Sequence, residues 1–413
     1  MMTSSALFIY LQRPDSGTWT TVGRYTLNQS TRTGVFRYAP RYLEAGHAWA
    51  IDPVNLPPLP GIDQPAPRYE GLHDVLRDSC PDSWGQMLLQ RKYQLPDYVH
   101  PSTYLRLARN GDRWGALAVG TSRTPSIDVI NSPKLVQLDG LAQELLAMYE
   151  RRAPVHAGIR KMLMATPSLG GARPKGTLTD GNQFWLIKPA LPSDTVDIPV
   201  LEHFALRWGA DIGLRTVPSH HHRIQDGLSV LRVCRFDREG DRRHMTISGA
   251  SLLSAEYPGG TRSAWSYPRL AEILRQIGAP LEDRIELFDR MIFNAMIGND
   301  DDHPRNHAAY YDAIQKQWRL SPAFDLVPNP EEDPGALSMQ LCAGRFDISR
   351  ASALADAHRF GFASGAESAQ HLDHLVARIV SAVDHVDAAI PDALRLQIKN
   401  RLARNRASLS DGA

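Results

Sequence analysis

Between Asn299 and Asn306 the chain reads Asn-Asp-Asp-Asp-His-Pro-Arg-Asn, with three acids, one His and two Asn in eight residues. Nineteen residues beyond Asn306 a further acid, Asp325, sits in Leu-Ser-Pro-Ala-Phe-Asp-Leu. A carboxylate, an amide five residues on and a second carboxylate beyond a short hairpin are the parts phosphoryl transfer needs. One Asp orients the acceptor hydroxyl, while Asn306 and Asp325 hold Mg²⁺ on the nucleotide phosphates. A helix C-cap with an acidic loop, or a structural cation site, would also explain the acids. Neither explains why Asp301 and Asn306 keep the D-x4-N spacing of a kinase catalytic loop. With Asp300, Asp301 and Asp302 adjacent, charge alone leaves open which one is the base.

Upstream, Ser168-Leu169-Gly170-Gly171-Ala172-Arg173-Pro174-Lys175 precedes the apolar run Phe184-Trp185-Leu186-Ile187, which ends on Lys188. Paired glycines let backbone N–H groups approach phosphates closely, and Arg173 and Lys175 add positive charge. Taken alone the pair is equally a hairpin turn, and it is neither a Walker A loop nor the GxGxxG of protein kinases. Lys188 is oddly placed for a solvated ammonium, although a lysine on a surface strand edge is the commoner case. In a kinase such a lysine grips the α- and β-phosphates and pairs with a helix glutamate. Glu202 is the candidate partner, its plainer role being a charge favourable to the helix dipole. His220-His221-His222 has no acid or Cys at ligand spacing and is expected to be a solvated turn.

These groups need elements to hold them. Ala6–Gln12 and Thr18–Leu27 are rich in aromatic and β-branched residues and read as strands, with a third near Gly34–Tyr38. Six prolines between 53 and 67 predict an extended, solvent-facing connector. Helical spacing follows in 84–92 and again through Leu138, Leu141, Leu145 and Met148. Phe184–Pro189 and Leu228–Cys234 read as strands around a helix from Val200 to Gly213. Ile285, Phe288, Ile292, Ala295 and Met296 form the buried stripe of the helix feeding the acidic cluster, and several helices follow Ile348. Trp185, Trp208 and Trp265 are expected in the core. A β-rich part followed by an α-rich part is the arrangement that buries a nucleotide between two lobes.

Length and composition agree with this reading. At 413 residues, 43% hydrophobic and 22% charged, the chain suits two or three domains of a soluble globular protein. A net charge of +1, from 46 basic and 45 acidic residues, supplies no global field for nucleic acid or membrane, and no basic-aromatic interleaving is present. Three scattered cysteines argue against a disulfide framework or a zinc site. The apolar run Ala6–Leu11 is too short for a signal segment or a span. The cytoplasm is the expected location, with no membrane partner.

Five stretches occur in the order found in HipA-like toxin kinases: Ser168-Leu169-Gly170-Gly171-Ala172; Leu186-Ile187-Lys188-Pro189; Arg235-Phe236-Asp237-Arg238; Ile297-Gly298-Asn299-x-Asp301-x-His303-x-x-Asn306; and Pro322-x-Phe324-Asp325. The resemblance covers roughly residues 1–400, because Asp78 to Trp84 also looks like the family's N-terminal module. It implies an α+β, bilobal protein-kinase-like fold with an N-terminal β-containing module and an α-rich C-terminal lobe. The implied boundaries are 1–130 for the module, 131–237 for the N-lobe with its Gly-rich loop and 238–413 for the C-lobe. It further implies an ATP- and Mg²⁺-dependent serine/threonine protein kinase, the toxin of a toxin–antitoxin pair. Family members block translation by phosphorylating aminoacyl-tRNA synthetases, and a small helix-turn-helix antitoxin binds the toxin and its operator, so DNA is met only through the antitoxin.

By the same resemblance Asp301 is the base, Asn306 and Asp325 take the metal, and Lys188 takes the phosphates. Gly170, Gly171, Ala172, Arg173 and Lys175 lie over ATP, Cys234 to Phe236 line the hinge beside adenine, and His303 is a nucleotide-side neighbour. Ser168 matches a serine that is autophosphorylated, ejecting the loop and switching the kinase off; a charge of about −2 there opposes another polyphosphate. Asp300 and Asp302 are left without a task. Asp302 and Pro304 stand where many relatives carry small, basic or flexible residues, so a more acidic neighbourhood is expected to shift metal affinity or substrate choice. Two other functions fit parts of the pattern: a small-molecule phosphotransferase of the aminoglycoside type, and a non-catalytic corepressor binding an antitoxin on DNA.

Overall fold

Aromatic and β-branched side chains form Leu7–Gln12 (β1), Trp19–Asn28 (β2) and Thr33–Tyr38 (β3), with Ile9, Tyr10, Leu11, Val22, Tyr25 and Phe36 buried and β1 covered on both faces. The computed structural model describes residues 6–46, 49–165, 171–386 and 390–410. They fall into two compact units: Met1–Pro189 with Arg235–Ile247 and Tyr311–Gln315, and Ala190–Cys234 with Ser248–Tyr310 and Lys316–Ala413.

In the first unit the chain continues through Pro40–Glu44 (α1), Gln64–Pro65 (β4), Asp74–Asp78 (α2), Ser83–Tyr93 (α3), Pro101–Leu107 (α4) and Leu117–Gly120 (β5). The antiparallel sheet runs β4-β3-β2-β1-β5, with an irregularity between Ile9 and Tyr10. The proline-rich connector is not an extended solvated strap. Asp52 accepts from Val54 N at 2.8 Å and Asn55 N at 2.9 Å, closing a turn, and Gln64 pairs with Phe36 as an edge strand. Proline is admissible there because an edge strand has one side without a ladder. Leu138–Tyr149 (α5), Ala157–Ala165 (α6), Gly176–Asp180 (β6) and Gln183–Pro189 (β7) complete this stretch, β6 and β7 forming a hairpin. Glu144, fully buried on α5, accepts from Val155 N and His156 N and pairs with Arg160, so it sets the turn into α6.

The returning segment brings a buried ion cluster that sequence reasoning missed. Arg235 pairs with Asp112 at 2.5 Å and Asp237 at 2.8 Å, Arg238 donates to the carbonyls of Gly111 and Arg113, and Asp237 accepts from Gly115 N. The adjacent guanidinium of Arg235 more than offsets burial and holds the Asp237 carboxyl far below its usual range. The Arg-Phe-Asp-Arg motif is therefore a fastener inside this unit.

The second unit holds Ile198–Asp211 (α7), Ser219–Arg223 (β8), Ser229–Cys234 (β9), Gly249–Leu252 (α8), Tyr267–Gln276 (α9), Leu281–Ile297 (α10), the strand Gln317–Leu320, Arg350–Ala355 (α11), Gly365–Ala382 (α12) and Asp392–Leu409 (α13). The histidine triplet is strand β8, not a turn: His220 pairs with Arg232 and His222 with Val230. His221 bonds Ser229 at 2.7 Å, Ser229 donates to Asp197, and Asp197 caps α7 through Val200 N. Trp208 is fully buried between Phe204 and Phe293, its indole N–H donating to Ile379 O on α12. Trp185 and Trp265 are buried as well. No helix among the described residues is long and apolar enough to cross a membrane.

Candidate active site

α10 delivers the acidic cluster, and its end is made by two residues far apart in sequence. Gly298 takes the left-handed cap conformation, φ 70°, with its N–H on Asn294 O. Arg401 of α13, 1% exposed, donates to the carbonyls of Ile297 (3.0 Å), Asn329 (2.6 Å) and Glu332 (2.6 Å). A β-carbon at position 298 would lie 2.6 Å from Arg401 Cδ, so only glycine admits this approach. Asn405 adds bonds to the carbonyls of Ala295 and Met296. The last turn of α10 thus ends with its orphan carbonyls paired.

Beyond this cap the three aspartates face different surroundings. Asp300 accepts from Asn329 Nδ2 at 3.0 Å, while its carbonyl accepts from Ser338 Oγ. Asp302 is 1% exposed and accepts from Tyr267 OH and from His307 Nε2 at 2.7 Å. Asn294 donates to Tyr267 OH and Asn299 to Asn294, so a chain of side chains ties α9, α10 and the loop together. Burial above all, then Asp302, raises the Tyr267 hydroxyl well above its usual range, so it remains a donor. Asp300 and Asp302 are therefore anchors, and the carboxylate of Asp302 is engaged by hydrogen bonds inside the fold rather than presented at the surface.

Asp301 is the aspartate left at the exposed rim. The protein mass around it, then Asp325, Asp300 and Asp302, push its carboxyl up to about 6. Asn306 turns its amide group onto Asp301 O at 2.9 Å, so its side-chain oxygen is the atom that could meet a cation. His303 packs its ring 3.9 Å from that of Tyr257; burial is the main cause that lowers it to about 4, so it is neutral.

Asp325 is placed from the other side. Arg290, buried on α10, donates to Ser321 O at 2.6 Å, and Ala323 exchanges backbone bonds with Arg215 and Val217. Asp325 itself sits at φ 53°, a conformation uncommon outside glycine, which this bracketing sustains. A small cleft is lined by Asn299, Asp302, Asn306, His307, Phe324 and Asp325. Burial first, and then three neighbouring carboxylates, raise Asp301, so negative charge gathers where a cation could bind. No three His, Cys, Asp or Glu side chains among the described residues group as a full metal cage. An Asp–Asn pair that shares Mg²⁺ with phosphates and water needs none.

The remaining candidates lie as follows. Ser168 and Gly170 fall outside the described residues. In the first unit, Gly171, Ala172, Arg173 and Lys175 form the turn before β6, and Gly171 N–H is taken by Asp82 Oδ2 at 2.9 Å. Lys188 is 9% exposed at the end of β7, which sets aside the surface-edge alternative, and Phe236 packs edge-on against Trp114 at 6.3 Å. In the second unit, Cys234 is half-buried at the end of β9, and Glu202 is buried on α7 rather than a solvated first-turn charge. Sequence reasoning missed Tyr267, Asn294, His307, Asn329 and Arg401. Asn294, one turn before the cap in an apolar stripe, was the one visible signal among them.

The chain matches the family model of the HipA-like C-terminal domain over residues 167–389. A Sinorhizobium fredii protein, Y4mE, named as a proposed kinase, is 31% identical over 134 residues, 30% of this chain and 31% of that protein; the chain thus spans under a third of the length of this relative. A chain of the Shewanella oneidensis MR-1 toxin–antitoxin complex of HipA, HipB and operator DNA superposes with a TM-score of 0.70 at 17% identity, covering 98% of this chain and 97% of that one. The Helicobacter pylori proinflammatory kinase CtkA gives a TM-score of 0.42 at 13% identity over 57% of this chain and 90% of that one. The α+β fold expected from the sequence is the one found, and it is shared with the Shewanella structure.

Proposed function

We propose, from the premise that this chain belongs to the HipA-like C-terminal domain family, that it is an ATP- and Mg²⁺-dependent serine/threonine protein kinase acting as the toxin of a toxin–antitoxin pair. The observation that carries this reading is that Asp301 lies beside Asn306 and Asp325, Asn306 donating to its backbone carbonyl and Asp325 adding to the burial that raises its carboxyl. Asp301 accepts a hydrogen bond from the Ser or Thr hydroxyl of a protein substrate and takes its proton as the oxygen attacks the γ-phosphorus and ADP leaves. Asn306 and Asp325 hold Mg²⁺, which when bound neutralises charge developing on the γ-phosphoryl. Lys188 grips the α- and β-phosphates, with Glu202 as its partner. Gly170, Gly171, Ala172, Arg173 and Lys175 cover the phosphates, Cys234 and Phe236 border adenine, and His303 stands beside the nucleotide.

The substrate is a protein of the translation machinery such as an aminoacyl-tRNA synthetase, and autophosphorylation at Ser168 ends activity. A small helix-turn-helix antitoxin is the partner, DNA being met through it; the Shewanella complex, which contains HipB and operator DNA, supports this. The working division is a module at 1–130, an N-lobe at 131–237 and a C-lobe at 238–413, in a cytoplasmic protein.

Transfer of label from γ-labelled ATP to the purified chain and to a lysate tests the reading. Label should reach Ser168 in the wild type and vanish in Asp301→Asn and in Asp325→Asn. Labelling that survives both changes sinks the mechanism. Growth arrest on expression that Asp301→Asn relieves separates a toxin from a drug-modifying kinase.

A further inference from the structure

Within the first unit, helix α3 reaches the turn Gly171–Lys175 from ninety residues away. Asp82, at the cap position of α3, accepts Gly171 N–H at Oδ2 (2.9 Å) and Arg77 Nη1 at Oδ1 (2.9 Å). Trp84, 3% exposed, donates its backbone N–H to Gly171 O at 3.1 Å and its indole N–H to Lys175 O at 3.0 Å. One side chain and its own backbone therefore tie the first and fifth residues of the turn. The same helix reaches the preceding segments, Lys92 Nζ donating to Met164 O on α6 and Arg91 to Met148 O on α5, both at 2.8 Å. Gly171 lies at φ +86°, and a β-carbon there would come within 2.3 Å of Lys175 Nζ.

Phosphates bind best to amides and cations already held in place, because ordering a five-residue turn on binding costs affinity. Gly171, Ala172 and Arg173 have little apolar surface with which to order themselves. The bonds from α3 order the turn in advance. A carboxylate beside phosphates would ordinarily repel them, but Arg77 neutralises Asp82 at its other oxygen. Since Asp82 already occupies Gly171 N–H, Gly171 contributes close approach rather than a donor.

We propose that Asp82 and Trp84 are positioning residues for the nucleotide phosphates, closing the Gly171–Lys175 turn from the N-terminal module. This rests on the kinase reading above. Its mark is selectivity: damage to the clamp weakens phosphate-bearing ligands and spares the nucleoside.

The test is calorimetric titration of the full chain with Mg-ATP and, separately, with adenosine, for wild type, Trp84→Phe and Asp82→Asn, with melting temperatures read alongside. Trp84→Phe keeps an aromatic ring, though a smaller one, and removes the indole N–H bond to Lys175 O, so Mg-ATP affinity should fall about fivefold while adenosine stays within about twofold. Asp82→Asn should act in the same direction. Unchanged Mg-ATP affinity in both variants overturns the proposal and leaves the kinase reading standing. So does equal weakening of adenosine and Mg-ATP. A wild type that binds no Mg-ATP strikes the kinase reading itself. If Trp84→Phe melts below the assay temperature, Asp82→Asn, at a partly exposed position, decides.

Discussion

Tyr267→Phe removes one oxygen atom from behind the loop Asn299–Asn306. The ring, and its edge-on contact with His307 at 5.1 Å, are retained. Asp302 then loses one of its two donors, and Asn294 Nδ2 loses the oxygen it reaches at 2.9 Å. A hydrogen bond to a charged group contributes about 1.5–3 kcal/mol, and a buried amide left unpaired costs about 1 kcal/mol or more. The sum, about 2.5–4 kcal/mol, is a large share of the roughly 5–15 kcal/mol that holds a domain folded. Urea unfolding followed by circular dichroism should show the transition midpoint lowered by that energy divided by the slope m, with the slope itself unchanged. A double-mutant cycle with Asp302→Asn should find the pair at least about 1 kcal/mol less costly than the sum of the singles, because both cut the same chain of bonds. A loss under about 1 kcal/mol, or strict additivity, would refute the claim that Tyr267 and Asp302 act together.

Three other outcomes follow from the same kind of reasoning. Arg401→Met leaves the carbonyls of Ile297, Asn329 and Glu332 without their donor and should cost about 3–5 kcal/mol by urea unfolding, at 1–3 kcal/mol for each buried acceptor discounted for partial exposure. Gly298→Ala should lower the melting temperature by several degrees through left-handed strain of about 1–2 kcal/mol plus the approach to Arg401; Gly298→Asn, which tolerates the backbone, should not rescue it. Burial lowers His73 to about 4 against an ordinary 6.5, so below pH 6.5 the unfolded chain takes up a proton that the folded chain refuses. Stability from this group is complete above pH 6.5 and is lost as pH falls toward 4, by about 3 kcal/mol at 1.36 kcal/mol per unit. Relative to His73→Gln, the wild type should thus weaken between pH 7 and pH 4.5; Asp52, which burial pushes up to about 6 and which favours the fold as pH falls through the same range, is common to both and cancels.

What sequence revealed was local. Aromatic and β-branched enrichment exposed β1 to β3, and a five-residue spacing with a hairpin's reach grouped Asp301, Asn306 and Asp325. Such signals survive because neighbours in sequence share one element. The supports of the loop lie further off: Tyr267 is 35 residues from Asp302, and Arg401 is 104 from Ile297. No periodicity encodes a bond of that length. The connector and the histidine triplet were misread for a related reason, since proline and histidine say little about strands until a pairing partner is known. Gln64 found Phe36, and His220 found Arg232.

The cap that Arg401 sets on α10 also orders events in time. A ribosome finishes residues 299–325 long before it reaches 401, so a growing chain holds every acid and amide of the cleft while the carbonyls of Ile297, Asn329 and Glu332 still lack their donor. Domains settle in the order they emerge, yet this loop waits for a helix made some seventy residues after it. Chains cut short before α13 would therefore carry the whole motif without its shape, and synthesis itself becomes an interval in which the motif exists without its support.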